Sequence, residues 1–338
     1  MGSKAARVAA LRVDAPDLRI LRAMGLLPFE RPREAQDLRP SAWARRARVS
    51  PKVLRERVAR LREDGILAGF EAYPNLNHLG LRWTTFHFRL PRAARKRDVI
   101  ADVEAVDGVV AVMNFIGADL CVDVLYADGA ELARRLKVLR SLTGAAWSEW
   151  YDNRMPAARR PLEPLDWRIL AALRGRADRP AREVAAELRV SEKTVKRRFG
   201  AMLARGDADV VPTLDLGRIS RTIPFALLYQ IPAAQVPRAS RAILAEHEER
   251  YLWAWRPPAA ELASFVVVLC ASRTQEIERL REEAEERSGA TLVEAIVPCG
   301  GVEAPGWLSA AVARAAPLSE NAPGRASGGQ RTLARVRR

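Results

Sequence analysis

The sequence has few of the residues that build metal sites and disulfide frameworks. It contains three cysteines and three histidines in 338 residues, and Cys121, Cys270 and Cys299 lie far apart with no Cys-x-x-Cys pair. This spacing excludes a disulfide framework and argues against a zinc site. We therefore predict no metal and no cofactor. We also assign no catalytic residue, because no histidine or cysteine stands in a ligand or nucleophile pattern.

Long apolar runs are missing too. No stretch approaches the roughly 18 apolar residues that span a bilayer, and the N-terminal stretch lacks the apolar core of a signal peptide. We therefore expect no membrane partner and a cytoplasmic protein. Hydrophobic residues still make up 49% of the chain, which at this length allows more than one buried core.

Negative charge is in deficit. The chain has 56 Lys and Arg against 41 Asp and Glu, a formal net charge of +15 at pH 7. Such an excess favours a polyanionic partner, but charge alone does not choose between nucleic acid and an anionic membrane. The distribution is more specific, because residues 168–205 hold eleven basic and four acidic residues, whereas residues 236–297 hold eight and eleven. A localised nucleic-acid site fits this better than a generally basic surface.

Residues 40–65 predict a short helix, a tight turn and a second helix. Leu54, Val58 and Leu61 are spaced i, i+4, i+7, which buries one face of the second helix. Residues 39–62 contain nine Lys or Arg and one acidic residue, Glu56. A helix with an apolar stripe and a cationic outer face is typical of a helix that lies against phosphates.

The pattern occurs twice. Residues 184–206 align with residues 43–65 at a constant offset of 141 without a gap, and the apolar positions stay apolar. A preceding helix is repeated as well, since residues 14–24 match residues 164–173. Eight extra residues of the first copy lie in the Pro-rich loop 25–39. A bipartite pattern repeated at one spacing indicates an internal duplication.

Two features flank each basic helix. Arg48 and Arg189 stand in the turn before it, where many such turns place Gly because the backbone needs a positive φ. We expect either some strain there or a slightly different turn. Residues 65–74 and 206–212 follow the helices, and their β-forming residues predict wing strands.

The remaining segments predict two small sheets. Residues 81–155 are predicted to form a strand, a helix, two strands, a helix and a final strand, which is the ferredoxin-like βαββαβ order. The same order is predicted again later in the chain. The predicted fold is α+β, with two winged helix-turn-helix domains alternating with two ferredoxin-like domains. The predicted boundaries are a disordered basic tail 1–13, winged helix-turn-helix 14–80, ferredoxin-like domain 81–155, linker 156–164, winged helix-turn-helix 165–218, ferredoxin-like domain 219–300 and a mostly disordered tail 301–338.

This organisation resembles a tandem duplication of the leucine-responsive/asparagine-operon regulator (Lrp/AsnC) family. The resemblance is carried by DLRIL at 17–21, LDWRIL at 165–170, VSPKVLRERVARLREDGILAGF at 49–70, VSEKTVKRRFGAMLARG at 190–206 and NFIGADLCVDVLYAD at 114–128. It implies a sequence-specific regulator that binds double-stranded DNA and is not an enzyme. The two repeats are expected to form an intrachain pseudo-dimer, with further homodimers or higher oligomers left open.

The resemblance implies DNA contacts from the outward face of each third helix. The expected residues are Ser50, Lys52, Arg55, Arg57 and Arg60 in the first copy, and Ser191, Lys193, Thr194, Lys196, Arg197 and Arg198 in the second. Arg and Lys suit guanine edges and phosphates, while the serines either cap their helices or donate to a phosphate. Because the two helices differ in sequence, the two half-sites are expected to differ.

A small-molecule site is implied by the same family. Its members carry a Gly-x-x-Asp element near the effector pocket, and this chain has Gly117 and Asp119 with one residue between them. We expect an amino acid or another small molecule there. The second copy has Arg-Pro-Pro-Ala-Ala-Glu at residues 256–261, which does not match the element.

Two other interpretations compete with a regulator. Siroheme decarboxylases resemble the same architecture, occur as fused pairs and carry a longer segment similar to residues 25–39. They rely on His and Arg in the ferredoxin-like sheets, where this sequence offers only His87. The third interpretation is an interaction module that does not bind DNA.

Overall fold

The structure is a computed structural model that describes residues 13–29, 33–91, 95–145, 148–153, 155–219, 222–255, 262–303 and 305–316. Its helices are α1 (Ala15–Met24), α2 (Pro40–Ala47), α3 (Pro51–Glu63), α4 (Lys96–Glu104), α5 (Gly129–Thr143), α6 (Pro164–Leu173), α7 (Ala181–Leu188), α8 (Glu192–Arg205), α9 (Val236–Glu246), α10 (Thr274–Ser288) and α11 (Pro305–Ala315). Its strands are β1 (Leu67–Pro74), β2 (Arg82–Arg89), β3 (Val109–Phe115), β4 (Asp119–Tyr126), β5 (Ser148–Asn153), β6 (Ala208–Leu214), β7 (Ile223–Pro232), β8 (Tyr251–Trp255), β9 (Leu262–Ala271), β10 (Leu292–Ile296) and β11 (Pro298–Glu303).

Two antiparallel sheets form the larger cores. The first has the order β11-β3-β4-β2-β5 and the second the order β10-β7-β9-β8. Alternate residues of β2 and β4, among them Phe86, Phe88 and Val122, are buried against α4 and α5, as the two-residue period of a strand requires. We call these parts sheet domain 1 (β2–β5, α4, α5) and sheet domain 2 (β7–β10, α9, α10). The predicted α+β class is confirmed.

Two three-helix units carry the basic sequences. Unit 1 consists of α1–α3 and β1, and unit 2 of α6–α8 and β6. The two wing strands pair with each other, antiparallel, from Leu67 opposite Leu214 to Pro74 opposite Ala208. Each wing therefore satisfies the backbone of the other, and the pairing fixes the two units side by side.

Local sequence explains where the helices begin. Asp14 caps α1 in a reciprocal capping box with Asp17. Ser50 Oγ accepts the backbone N–H of Val53 at 3.2 Å, and Ser191 Oγ accepts that of Thr194 at 3.1 Å. Both serines therefore cap the third helix of their unit, one of the two roles that the sequence allowed.

The long α1–α2 connection of unit 1 packs against unit 2. Arg33 is buried, and its Nε lies 3.0 Å from Oδ1 of the buried Asp209 on β6. The guanidinium also donates to carbonyl oxygens of Met24 and Val210. Gly25 has φ +78, and a Cβ there would overlap this guanidinium, so the path of the chain depends on glycine at this position.

Each unit also contacts the sheet domain of the other half. The core of unit 1 continues into Leu252 and Val268 of sheet domain 2. Unit 2 shares its core with Leu308 and Val312 of α11, and α11 also contacts β3 of sheet domain 1. The two halves are therefore interleaved and do not stand as separate bodies.

The C-terminal segment differs from its prediction. The tail predicted from residue 301 begins inside β11, which pairs antiparallel with β3, and α11 follows. These segments are ordered because the edge of β3 and the surface of α6 give them partners. Residues 1–12 and 317–338 of the predicted tails lie outside the described residues. None of the helices in the described stretches has the length and apolar character needed to cross a membrane.

Candidate nucleic-acid interface

The turn before each third helix has an unusual backbone. Arg48 has φ 56 and ψ 44, and Arg189 has φ 55 and ψ 46, both in the left-handed region. The N–H of the following valine, Val49 or Val190, reaches back to the carbonyl of Ala44 or Ala185 at 3.0 Å, which completes a Schellman-type helix end. A non-glycine residue in this conformation costs about 1–2 kcal/mol. The first of the two sequence expectations, strain at an arginine, is what the structure has.

The third helix of each unit buries its apolar stripe and exposes its cationic face. Leu54 and Leu61 are buried in unit 1, and Val195 and Met202 in unit 2. The outer faces of α3 and α8 are therefore open along the length that would enter a DNA groove.

Among the predicted contacts of unit 1, the exposed cations are Lys52 and Arg55. Lys52 Nζ lies 3.9 Å from Glu56 Oε1, with side chains 79% and 63% exposed. An ion pair this long and this solvated contributes little. Both Lys52 and Arg55 are therefore free to contact another molecule.

Among the predicted contacts of unit 2, the exposed cations are Lys193, Lys196 and Arg197. Lys196 Nζ pairs with Glu192 Oε1 at 2.6 Å one turn earlier, but both side chains are largely exposed. Thr194 is half-buried, and its hydroxyl lies 2.8 Å from that of Ser191. The cationic face of unit 2 is as accessible as that of unit 1.

Three predicted DNA contacts form ion pairs with carboxylates of the first helix of their unit or of its N-cap. Arg57 Nη1 lies 2.6 Å from Asp14 Oδ1 and 2.9 Å from Oδ1 of the fully buried Asp17. Arg60 also pairs with Asp17. Burial opposes the charged form of Arg57, but hydrogen bonds and charges of the two carboxylates raise its pKa overall. In unit 2, Arg198 Nε lies 2.8 Å from Asp166 Oδ1.

The ion pairs of Arg57 and Arg198 hold the third helix of each unit against the first helix. The hydrogen bonds that Arg198 donates to Asp166, and then to Glu163, raise its pKa against the opposing effect of burial. Arg57 and Arg198 occupy the same aligned position, and each ties the third helix to the first helix of its unit. Arg57, Arg60 and Arg198 therefore have partners within their own unit. Helical periodicity alone could not distinguish them from the exposed arginines.

The predicted effector residues lie in a polar group at the β3–β4 turn of sheet domain 1. Gly117 has φ +84 in the β3–β4 turn, and its carbonyl accepts Lys96 Nζ at 3.0 Å. Asp119 Oδ1 lies 2.8 Å from His87 Nε2 and 3.2 Å from Arg89 Nε. Burial raises the pKa of Asp119, but His87 and Arg89 lower it overall. The turn brings Gly117 and Asp119 together, and both have partners within the chain.

Sequence reasoning missed the neighbours of this group. Arg89 Nη2 also lies 3.1 Å from Glu294 Oε2 on β10, so the group joins the two sheet domains. Alternation along β2 places His87 and Arg89 on one face, a signal that the sequence did contain. The loop 256–261 of the second copy lies outside the described residues.

Comparison with known families adds one match. Residues 162–203 match the AsnC-type helix-turn-helix domain. The chain carries an AsnC-type helix-turn-helix domain. The matched residues span α6, α7 and most of α8, so this AsnC-type domain is unit 2. No curated protein matches the chain.

Solved structures extend the likeness beyond the AsnC-type domain. Siroheme decarboxylase NirDL has a TM-score of 0.56 and 15% identity, covering 89% of this chain and 99% of that chain. NirDL in complex with an iron-uroporphyrin III analogue gives 0.54 and 15%, covering 88% and 98%. The E. coli AsnC structure gives 0.30 and 19%, covering 45% and 99%. At these identities the likeness to NirDL shows the fold alone.

This comparison corrects one prediction. The chain was predicted not to be an enzyme, but the fold that covers 89% of it is that of a decarboxylase. The family resemblance led to that prediction because helix-turn-helix sequences are typical of regulators. The architecture admits catalysis, and function has to be argued from the residues themselves.

Proposed function

We propose that the protein is a sequence-specific double-stranded DNA-binding transcriptional regulator of Lrp/AsnC type. The observation that carries the proposal is the pair of third helices, α3 and α8, each anchored by its apolar stripe and exposing a cationic face. The match of unit 2 to the AsnC-type helix-turn-helix domain supports it. Positive side chains on an exposed helix suit both phosphate and guanine contacts.

The proposal includes a tandem duplication whose halves form an intrachain pseudo-dimer. Equivalent details at aligned positions support it: left-handed Arg48 and Arg189, and helix-capping Ser50 and Ser191. Without β11, the first sheet has the order β3-β4-β2-β5, which corresponds to β8-β9-β7-β10 in the second. A single ancestral unit that was doubled accounts for all of these at once.

We assign DNA contact to the predicted residues that lie on the outer face of each third helix. They are the exposed Lys52 and Arg55 in unit 1, and the exposed Lys193, Lys196 and Arg197 together with the half-buried Thr194 in unit 2. Arg57, Arg60 and Arg198 instead hold each third helix in place, and Ser50 and Ser191 cap the helices. The six assigned residues differ between units, so the proposed operator has two unlike half-sites.

A titration with labelled duplex DNA tests the proposal. Fragments that the full-length protein retrieves from genomic DNA supply the probe, and fluorescence anisotropy measures affinity at several salt concentrations. We expect Arg55→Ala to weaken binding by roughly 1–3 kcal/mol and to relax preference at one half-site. Arg241→Gln, an exposed change on α9, is the charge control. An Arg55→Ala protein that binds with unaltered affinity and preference would contradict the assignment.

Effector binding is a separate part of the proposal. The side chain of Asp119 and the carbonyl of Gly117 already have partners, so a ligand would have to exchange with His87, Arg89 or Lys96. Calorimetric titration with amino acids tests it, with Asp119→Asn as the comparison. Binding that is the same in both proteins would place any effector elsewhere. Size measurement with and without ligand tests assembly into homodimers or larger oligomers.

A second candidate function is a reaction on a tetrapyrrole. The NirDL fold favours it, and so does the position of His87 and Arg89, which place an imidazole and a guanidinium on one face of sheet domain 1. Incubation with an iron-uroporphyrin-type tetrapyrrole, followed by absorption and mass spectrometry, tests it. A His87-dependent change in the Soret band with loss of carboxyl mass would support it, and an unchanged spectrum would reject it.

A further inference from the structure

Arg48 and Arg189 adopt a backbone conformation that favours glycine or asparagine. Each closes the second helix of its unit, two residues before the serine that caps the third helix. Arginine therefore occupies a disfavoured conformation twice, at the same aligned position. Backbone strain is concentrated at functional sites in proteins, so its recurrence at an equivalent position indicates a role for the arginine side chain.

Neither side chain contributes to packing. The Arg48 side chain is 79% exposed, and its ion pair with Glu248 is 3.7 Å long. Arg189 is exposed, and within the part of the chain that the structure describes it forms no ion pair. The apolar contact of this helix end comes instead from Val49 and Val190, which pack on the cores. The two charges therefore add little to stability.

The position of the two arginines within the helix-turn-helix indicates which part of a DNA duplex they would contact. In a helix-turn-helix, the first turn of the recognition helix enters the major groove, and the preceding turn passes close to the sugar-phosphate backbone. An arginine in that turn presents up to five N–H donors to phosphate oxygens. Because both units display one, the pair adds the same contact at each half-site.

We propose that Arg48 and Arg189 are phosphate-contacting residues for double-stranded DNA, one for each helix-turn-helix unit. This inference rests on the proposed function. It adds a backbone-positioning contact to the groove-facing residues assigned above. Phosphate contacts set affinity and register without reading the sequence, so both arginines should act alike on any duplex.

The test compares three double variants of the full chain: R48G/R189G, R48A/R189A and R48K/R189K. Glycine removes the charge and relieves the strain, alanine removes the charge and keeps the strain, and lysine keeps both. R238Q/R241Q removes two exposed charges on α9 and serves as the charge control. The probe is a labelled mixed-sequence duplex long enough for two half-sites, titrated by anisotropy over a range of salt, and thermal unfolding is measured in parallel.

We expect the glycine and alanine pairs to lose affinity equally, by roughly tenfold or more, with the salt slope falling by about two. The lysine pair should keep most of both. The glycine pair should unfold at the same temperature as the unmodified protein or above it, because the strain is gone. Retained affinity in both charge-free pairs, a loss matched by R238Q/R241Q, or a clear drop in the unfolding temperature of the glycine pair would overturn the inference. An unmodified protein that does not bind duplex DNA overturns the proposed function, and this inference with it.

Discussion

Unit 1 and unit 2 share the same three helices and the same internal ion pair, but they are held in place by different means. Unit 1 has a 15-residue connection between α1 and α2, whereas unit 2 has seven residues there. Unit 1 rests on sheet domain 2, where Arg19 Nη1 lies 2.8 Å from Glu249 Oε2 and Arg22 donates to the carbonyl of Glu248. Unit 2 rests on α11, whose Trp307 donates to Asp107 of sheet domain 1.

The two units agree in their internal contacts and differ in the contacts that support them. The turn, the caps and the Arg57 and Arg198 pairs recur because each unit needs them to fold around its own core. The supports differ because they depend on segments that only one half has, the long loop of unit 1 and the C-terminal helix. Stability and DNA contact are therefore expected to respond differently in the two units.

The largest effect is expected from Arg33→Ala in the long loop of unit 1. The change leaves the buried Asp209 carboxylate without its cationic partner, which costs about 3–5 kcal/mol. Hydrogen exchange should increase first in β6 and in the loop. The Arg33→Ala/Asp209→Ala double variant should cost less than the sum of the single changes. Strict additivity would mean that the pair does not couple the units.

A smaller loss is expected from Leu308→Ala in α11. The residue is 7% exposed within the core of unit 2, so truncation should cost about 2–5 kcal/mol. Exchange should rise in α6 and stay unchanged in α1, because the core that contains α1 includes no described residue of α11. Leu292→Ala, at a residue that is 38% exposed, is the matched control. Equal loosening of both units would remove the distinction between their supports.

The DNA preference of the two units should depend on one aligned position. Glu56 in unit 1 and Arg197 in unit 2 are both exposed, and a carboxylate accepts from cytosine N4 whereas a guanidinium donates to guanine O6 and N7. We expect the E56R/R197E swap to exchange the half-site preferences, at about 1–3 kcal/mol for each base pair. Selection from a random duplex library measures this. Preferences that stay with their units would show that other residues set them.

The smallest effect is expected from Glu248→Gln. This change removes the weak partner of Arg48 and frees the arginine for phosphate, which should raise DNA affinity by up to about 1 kcal/mol. Glu246→Gln is the matched control, because Glu246 pairs with Arg287 of α10 at 2.9 Å and does not contact unit 1. The same gain in both variants would reflect net charge alone. No gain in either would mean that Glu248 does not compete with DNA.

Much of the local structure could be predicted from the sequence. The helix cap at Asp14, the apolar stripes of the third helices and both βαββαβ orders follow from periodicity and turn residues, because each depends on neighbours a few positions away. The supports between units could not be predicted. Arg33 pairs with Asp209, and β11 pairs with β3, so both contacts join residues far apart in the chain. Neither the loop that contains Arg33 nor β11 has a counterpart in the other half of the sequence from which the contact could be predicted.

The candidate site was predicted in part for the same reason. Helical spacing identifies which arginines of α3 and α8 point away from the apolar stripe. It does not show that Arg57 meets Asp17 or that Arg198 meets Asp166, because those carboxylates belong to another helix. The AsnC-type match falls on unit 2, whose short α6–α7 connection lacks the inserted residues of unit 1.

The pairing of β1 with β6 affects how the activity of the proposed regulator depends on protein concentration. A regulator assembled from two separate chains must first associate, so its active concentration falls steeply when the protein is scarce. In the proposed regulator, the two DNA-binding units are already joined by the β1–β6 ladder within one molecule, so their association does not depend on protein concentration. Under the proposed function, occupancy of a two-part operator would follow the first power of protein abundance, even at very low expression.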